Sequence, residues 1–321
     1  MTGSAPQTGA PAPRRSFLAG LLGQGIGPSL SPELHEREGA RQGLRYTYKT
    51  VELPDDALQP DHLRRLLRAA VELGFDGLNV THPVKQVMAP LVDELAPEAA
   101  AIGAINTIVI EDGHTRGHNT DVTGFAAALR AGLPDVPLQR VVLIGAGGAG
   151  GAVAHALASQ GVEQLSVVDR DAARAEQLIG ALAAAGNQVS TEVCAPEELP
   201  GLLAGASGLV NATPMGMAAH PGTPVPAGLL RPDLWVADIV YRPLLTELVR
   251  EATALGCRVM TGAGMAVNQA ADSFELFIGR AAARPAMFAD FDELVAAEVN
   301  GDDPSPGDTA PDTPTAHPTE H

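Results

Sequence analysis

Apolar residues recur along this chain in two rhythms. Short runs bounded by turn residues, at Phe17–Leu22, Tyr46–Val51, Gly77–Val80 and Thr107–Ile110, read as strands. Between them, apolar positions three and four apart over Ser31–Gln42, Pro60–Leu73 and Val84–Leu95 read as helices with one buried face. The alternation restarts near Val141, with strands at Val141–Ile144, Gln164–Val168, Gly208–Asn211, Trp235–Asp238 and Arg258–Thr261. Helices at Ala149–Ser159, Ala172–Ala185, Glu197–Leu203 and Thr246–Ala254 separate them, and Ala266–Phe277 is a further helix expected to pack back on the first unit. Strands that alternate with helices pair in parallel, so the expected fold class is α/β, with two units and mostly parallel sheets. No internal repeat is visible.

The two ends lack this patterning. Residues 1–15 and 301–321 are rich in proline and small polar residues, without an apolar cluster, and are expected to be disordered. The chain then divides into a disordered N-terminus (1–15), a unit over 16–122 joined by a returning helix at about 264–291, a unit over 123–263, and an acidic, mostly disordered tail over 292–321. With 321 residues, each unit can bury its own core.

Composition removes several function classes. The net charge is −17, and eight acids with no basic residue lie from Asp292 onward, which argues against phosphate backbones and anionic membranes as partners. Aromatic residues are only 3% of the chain, too few for base-stacking platforms. Cys194 and Cys257 suggest neither a disulfide framework nor a zinc site, which fits a reducing cytoplasm. Arg14-Arg15 imitates a twin-arginine leader, but the apolar run behind it ends at Leu22 and reads better as a first strand. The uncharged stretch Val141–Gly161 approaches membrane-spanning length, yet five glycines between Gly145 and Gly151 make it strand, turn and helix.

That glycine turn carries the first chemistry. Val141-Val142-Leu143-Ile144 leads into Gly145-Ala146-Gly147-Gly148-Ala149-Gly150, and the following helix offers unpaired N–H groups to a pyrophosphate. Gly145 permits the turn, Gly147 lets the backbone approach the anion, and Gly150 lets helix and strand pack closely. Asp169 follows 24 residues after Gly145, at the end of the next strand, where a carboxylate receives ribose hydroxyls and repels a 2′-phosphate. Arg170 and Arg174 pull the other way, because a guanidinium clamps phosphate. Asp169 and Asp171 flank Arg170 and offset it, so NAD is favoured and NADP is the alternative.

The chain has 21 basic residues and only two are lysines, Lys49 and Lys85. A lysine amine exchanges a proton, which arginine does not. Lys49 reads as an ordinary surface residue, whereas Lys85 ends Asn79-Val80-Thr81-His82-Pro83-Val84-Lys85, a strand running into a helix start where ligands gather. Three other polar clusters accompany it: Ser29-Leu30-Ser31-Pro32, Gly103-Ala104-Ile105-Asn106-Thr107 and Gly117-His118-Asn119-Thr120-Asp121. Each has a structural alternative. Ser29 or, better, Ser31 suits a helix N-cap, Asp121 suits another, Asn106 suits a turn, and Tyr241 and Gln269 suit packing or surface roles. His82 reads as a neighbour of the site or an exposed residue, not as the proton acceptor.

In their order along the chain, these clusters, the glycine turn and Gly264-Met265-Ala266-Val267-Asn268-Gln269-Ala270 resemble the shikimate dehydrogenase family, from about Phe17 to Phe291. The resemblance implies a substrate domain and a Rossmann domain with a cleft between them. It implies Lys85 and Asp121 as the catalytic pair, Ser29 and Ser31 on the substrate carboxylate, and Thr81, Asn106, Gln269 and Tyr241 on the rest of the substrate. It places the glycine turn, Asp169, Arg170, Arg174, Ala212, Thr213, Met215 and Gly262 beside the cofactor. Lys85 then either takes the proton of a secondary alcohol or, kept charged, stabilises the alkoxide. Asp169-Arg170-Asp171 stands where biosynthetic members usually read Asn-Arg-Thr. His82-Pro83-Val84-Lys85 likewise departs from their Val-Pro-Phe-Lys. Thr81-His82-Pro83 and Asn211-Ala212-Thr213-Pro214-Met215-Gly216-Met217 followed by His220-Pro221-Gly222 are most similar to the NAD-linked quinate/shikimate dehydrogenases of high-GC Gram-positive bacteria. An NADP-linked biosynthetic enzyme is the alternative; an aminoshikimate dehydrogenase and a non-catalytic sensor of quinate or shikimate are weaker ones. The expected partners are small acids, and the expected state is monomer or homodimer.

Overall fold

The computed structural model describes residues 15–299. The expected disorder at 1–14 and 301–321 lies outside the described residues. The first domain runs β1 (Ser16–Gly23), α1 (Ser31–Arg41), β2 (Arg45–Glu52), α2 (Pro60–Glu72), β3 (Gly77–Val80), α3 (Lys85–Met88), β4 (Glu94–Leu95), α4 (Pro97–Ile102), β5 (Thr107–Glu111) and β6 (His114–His118). The second follows α5 (Thr120–Gly132) with β7 (Arg140–Ile144), α6 (Gly148–Ser159), β8 (Gln164–Val168), α7 (Ala172–Ala184), β9 (Ser190–Cys194), α8 (Leu199–Gly205), β10 (Gly208–Asn211), β11 (Trp235–Asp238), α9 (Glu247–Ala254) and β12 (Val259–Met260). Two helices close the described chain, α10 (Gly262–Ile278) and α11 (Arg284–Val299).

The second sheet has the order β12-β11-β10-β7-β8-β9 and every pair is parallel, the doubly wound Rossmann arrangement. Connections leave β7 toward one side and β10 toward the other, and the glycine turn sits at that switch point. The first sheet, ordered β2-β1-β3-β5-β6-β4, is mixed: β5 runs antiparallel to both β3 and β6. Three of its five pairings are parallel, so the expectation of mostly parallel sheets holds for both sheets. The dipeptide Asp112-Gly113, whose positive φ values of 52° and 81° suit a tight hairpin, folds β6 back on β5.

A single helix over Val84–Leu95 does not form. The α-helix ends at Met88, a short 3₁₀ turn covers Ala89–Leu91, and Glu94–Leu95 joins the sheet. Pro90 cannot donate to the helix ladder, which ends the run. The acidic segment from 292 also departs from expectation, because α11 continues to Val299. Met287, Phe291 and Leu294 lie on one face of it and are buried, and the acids between them obscured that stripe in the sequence.

Two helices run through both domains. α5 starts beside the first sheet and then buries Phe125, Ala128 and Leu129 in the Rossmann core, so the expected boundary at residues 122 and 123 falls inside one helix. α10 contributes Met265 to that core and, farther along, Phe277 to the cluster on the first sheet. Its apolar face does pack back on the first domain, as its sequence suggested.

Candidate active site

β3 delivers Lys85 to the cleft. The strand ends at Val80, the chain turns through Thr81-His82-Pro83, and α3 opens at Lys85. Lys85 Nζ donates to Asp121 Oδ2 at 2.5 Å, with the lysine side chain 18% exposed and the aspartate 6%. Asp121 does not cap α5: Asn119 does, accepting from the Asp121 N–H at 3.2 Å. The second oxygen of Asp121 receives Asn106 Nδ2 at 3.0 Å. Asn106 is buried, and its carbonyl oxygen accepts the Thr120 N–H at 2.8 Å and the Thr107 hydroxyl at 3.0 Å. Thr120 Oγ1 reaches the Gln269 carbonyl at 3.1 Å, which ties α10 to the same network. The sequence offered Lys85, Asp121 and Asn106 in separate polar clusters and the resemblance paired the first two; the fold places all three in one hydrogen-bonded row.

Ser29 and Ser31 flank the start of α1, but neither is its N-cap. Leu30 occupies that position, and the Ser29 hydroxyl accepts the Ser31 N–H at 3.2 Å. Glu52 holds the preceding turn by accepting the Gly25 and Ile26 N–H groups. Tyr241 approaches from the other domain. Burial pushes its phenol pKa up, while Arg242 and the Ser29 hydroxyl oppose that rise. Gln269 is half-buried, with its amide donating to Ala266 O on its own helix at 3.1 Å. Thr81 is half-buried beside the lysine turn, while His82 and Lys49 are exposed, as the sequence suggested.

Several supporting residues had no clear signal in the sequence. Asp238 is fully buried; burial pushes its carboxyl pKa up, and bonds from Thr246, Val240 and Asn211 resist that shift. Those bonds, at 2.7, 3.0 and 3.0 Å, tie the ends of β10 and β11 together and set the loop carrying Tyr241. Thr107, from a cluster the sequence singled out, and Ser273 complete the buried network, and only contact through the folded chain identifies Ser273.

The glycine turn fits a dinucleotide. Gly145 has φ +102°, and a Cβ there would lie 2.8 Å from Ala212 O and 2.9 Å from Thr213 Cγ2. A Cβ at Gly150 would lie 2.0 Å from Gly145 O, so strand and helix approach more closely than a side chain permits. A Cβ at Gly147 would meet nothing within 4 Å, which leaves the start of α6 open to an anion. A Cβ at Gly262 would lie 2.5 Å from the carbonyls of Ile239 and Val240. Asn211 receives the Thr213 N–H and hydroxyl and donates to Met215 O, shaping the loop that faces the turn. Asp169 accepts the Ala146 N–H at 2.7 Å and the Asp171 N–H at 2.9 Å, which fixes its carboxylate beside the turn. With Arg170, Cys194 and Glu197 it lines a depression of about 290 Å³. Arg174 is exposed and pairs with Asp171 at 3.3 Å. Ala149 and Gly148 open α6, and a Cβ at Gly148 would stand 3.9 Å from both Cβ and Cδ of Lys85. The lysine thus borders the cofactor turn.

Residues 21–108 match the model of the shikimate dehydrogenase substrate binding domain, and residues 128–215 match that of shikimate / quinate 5-dehydrogenase. The chain belongs to the shikimate dehydrogenase family. Shikimate dehydrogenase (NADP(+)) of Streptomyces avermitilis is 56% identical over 279 residues, which is 87% of this chain and 96% of that protein. Quinate/shikimate dehydrogenase (NAD(+)) of Corynebacterium efficiens is 49% identical over 265 residues, 82% of this chain and 93% of its own length. Quinate dehydrogenase from Corynebacterium glutamicum in complex with NAD superposes with a TM-score of 0.81 at 44% identity, over 87% of this chain and 99% of that one. The chain is accordingly a dehydrogenase that uses a nicotinamide cofactor, with the substrate domain and Rossmann domain of its family. Among the described residues no helix is long and apolar enough to cross a membrane, and no cluster of histidine, cysteine and carboxylate side chains suits a metal ion.

Proposed function

We propose that this chain is a quinate/shikimate dehydrogenase that interconverts shikimate or quinate and the corresponding 3-dehydro acid, with NAD as the preferred cofactor. The observation that carries this reading is the Lys85–Asp121–Asn106 row standing against the first turn of α6. NAD, which the glycine turn and Asp169 would hold, would supply the acceptor or donor of the hydride. Lys85 handles the other half of the reaction: its amine takes the alcohol proton, or as ammonium it holds the developing alkoxide, and Asp121 aims it in either role. Asn106 holds Asp121 in place and, with Thr81 and Gln269, is proposed to receive the ring hydroxyls. Ser29, Ser31 and Tyr241 are proposed to hold the carboxylate end. The glycine turn is proposed to cradle the pyrophosphate, with Ala212, Thr213, Met215 and Gly262 around the nicotinamide end.

The preference for NAD rests on Asp169, whose carboxylate is fixed beside Ala146, where a 2′-phosphate would meet its charge. Arg170 and Arg174 at the surface, together with the NADP-linked Streptomyces avermitilis relative, favour NADP as the second reading. Initial rates with shikimate and quinate, each with NAD and NADP, separate the two. Faster turnover with NAD on both acids supports the first reading; activity confined to shikimate and NADP supports the second. The Asp169→Asn, Asp171→Thr double variant is expected to raise kcat/KM for NADP relative to NAD by about tenfold or more, since roughly 1.4 kcal/mol of removed repulsion corresponds to tenfold. An unchanged ratio would discard the role given to Asp169. Action in the cytoplasm, as a monomer or homodimer, belongs to the same proposal.

A further inference from the structure

We propose that α11 is a brace for the outer wall of the acid-binding pocket, in which Phe291 and Glu298 are positioning residues for Tyr241. The proposal deepens the reading of the pocket given above and rests on it. Three separate segments bring groups toward the substrate there: the turn with Ser29 and Ser31, α10 with Gln269, and the loop after β11 with Tyr241. α11 lies against all three.

At its start, Arg284 donates to Asn268 O at 3.3 Å, to Asn268 Oδ1 at 3.2 Å and to Glu275 Oε1 at 3.0 Å, and it also bonds Asp272. These bonds hold the α10 turn that carries Gln269. Along its middle, Glu293 pairs with Arg37 at 3.1 Å, and Asp290 with Arg41 at 2.5 Å, both on α1. Leu30 and Leu34, around and just inside the start of α1, share an apolar cluster with Met287, Phe291 and Leu294. At its far end, Glu298 Oε1 forms an ion pair with Arg242 Nη1 at 2.8 Å. The Phe291 ring lies 6.5 Å from that of Tyr241 at 54°, and Phe291 is fully buried. Arg242 directly follows Tyr241 in a loop of the Rossmann domain, whereas the other ion pairs of α11 among the described residues are with α1 and α10. The helix therefore holds Tyr241 beside Ser29 from outside, without touching the reacting atoms.

The Glu298–Arg242 pair is about 30% exposed on each side, so its own energy is small and its effect is on orientation. Steady-state kinetics of the full-length enzyme, with hydrogen exchange of the ligand-free protein, test the brace. Glu298→Ala is expected to raise KM for the acid about two- to fivefold, with kcat and KM for NAD within about twofold. Glu298→Asp keeps the charge that pairs with Arg242 and should stay closer to wild type than Glu298→Ala does. Phe291→Leu keeps an apolar side chain in the core and should raise KM for the acid more than Glu298→Ala does. Amide exchange over residues 240–246 should be faster in Glu298→Ala than in Glu298→Asp or wild type. Wild-type KM and wild-type exchange in Glu298→Ala and Phe291→Leu would overturn the proposal. So would equal rises in both Michaelis constants with a lowered Tm, because that is general loosening. If the wild-type enzyme turned over neither acid, the reading of the pocket would fail, and the exchange rates would still decide whether α11 holds the loop.

Discussion

Lys85 and His35 show how far one side chain's surroundings set its chemistry. The Lys85 amine has a carboxylate at 2.5 Å and little exposure, on a turn that also meets the glycine helix. Lys85→Ala is expected to lower kcat by about 10²–10⁴ with a smaller effect on KM, because general acid–base help of that size is lost. Lys85→Arg should not restore it where the amine acts as base, since a guanidinium does not release its proton, and should restore part of it where the ammonium acts by charge. Turnover at saturating acid and NAD is the measurement, and an unchanged kcat in Lys85→Ala would remove the catalytic assignment. His35 is a different case. It is 1% exposed, its Nδ1 meets the Tyr46 hydroxyl at 3.1 Å, and its ring sits among Tyr46, Tyr48, Phe274 and Phe277. Burial pushes its imidazole pKa down from 6.5 to about 3. A histidine depressed in the folded state stabilises the fold above its unfolded pKa, and that stability is lost as pH falls toward the folded one. The loss is about 1.4 kcal/mol per pH unit below about pH 6.5. His35→Phe should start lower at pH 7, because Tyr46 loses its partner, yet lose roughly 2 kcal/mol less than wild type between pH 7 and pH 5. Urea unfolding of both proteins at the two pH values measures that difference; parallel losses would show that His35 does not govern the acid response.

At the scale of elements, α5 and α10 decide whether Asp121 and Gln269 face the same substrate. A Cβ at Gly124 would lie 2.9 Å from Gln269 N and 3.1 Å from Met265 O, and one at Gly264 would lie 2.9 Å from Ala128 Cβ. Two glycines, one on each helix, thus let the backbones approach. Gly124→Ala is expected to cost about 1–3 kcal/mol and to raise KM for the acid, because the helices separate at the level of the site. Gly180→Ala, in α7 where a Cβ meets nothing within 4 Å, is the control and should be neutral or slightly stabilising. A Tm in Gly124→Ala equal to that of the control would show that the helices can shift without strain. These packing relations also mark the limit of what the sequence disclosed. The inner strands of the Rossmann sheet were legible because they are buried on both faces and read as apolar runs. The edge strand Ser190–Cys194 and the hairpin strand His114–His118 were not, being short and largely polar. The Asp112-Gly113 turn was the available signal for the hairpin. Site residues on short loops were legible as polar clusters, and the family resemblance gave them roles. Thr120 and Ser273 acquire their function from partners as far as 153 positions away in sequence, which no local pattern encodes.

For the whole molecule, the decisive relation is the separation between the two domains across the cleft. α4, from the substrate domain, packs on α6 and α7 of the Rossmann domain. At that contact a Cβ on Gly151 would lie 3.2 Å from Ile102 Cγ2, and one turn of chain away Gly148 borders Lys85. The same helix, α6, therefore carries the cofactor turn and abuts the helix that sets how close the lysine comes to it. A larger side chain at 151 has to displace α4, because the opposite face of α6 is packed on its own sheet. Gly151→Val is expected to leave the Kd for NAD within about threefold and to lower kcat by about 10- to 100-fold, since a displacement near 1 Å between reacting groups costs that much. Ile102→Ala in the Gly151→Val background makes room for the new methyl groups and should recover much of the lost rate. Ligand-binding titrations with NAD, run beside single-turnover rates, separate the two effects. Recovery in the double variant would establish that the interdomain spacing, not the cofactor turn, limits the reaction in Gly151→Val. Weakened NAD binding with no recovery would mean that residue 151 acts through the geometry of α6 alone.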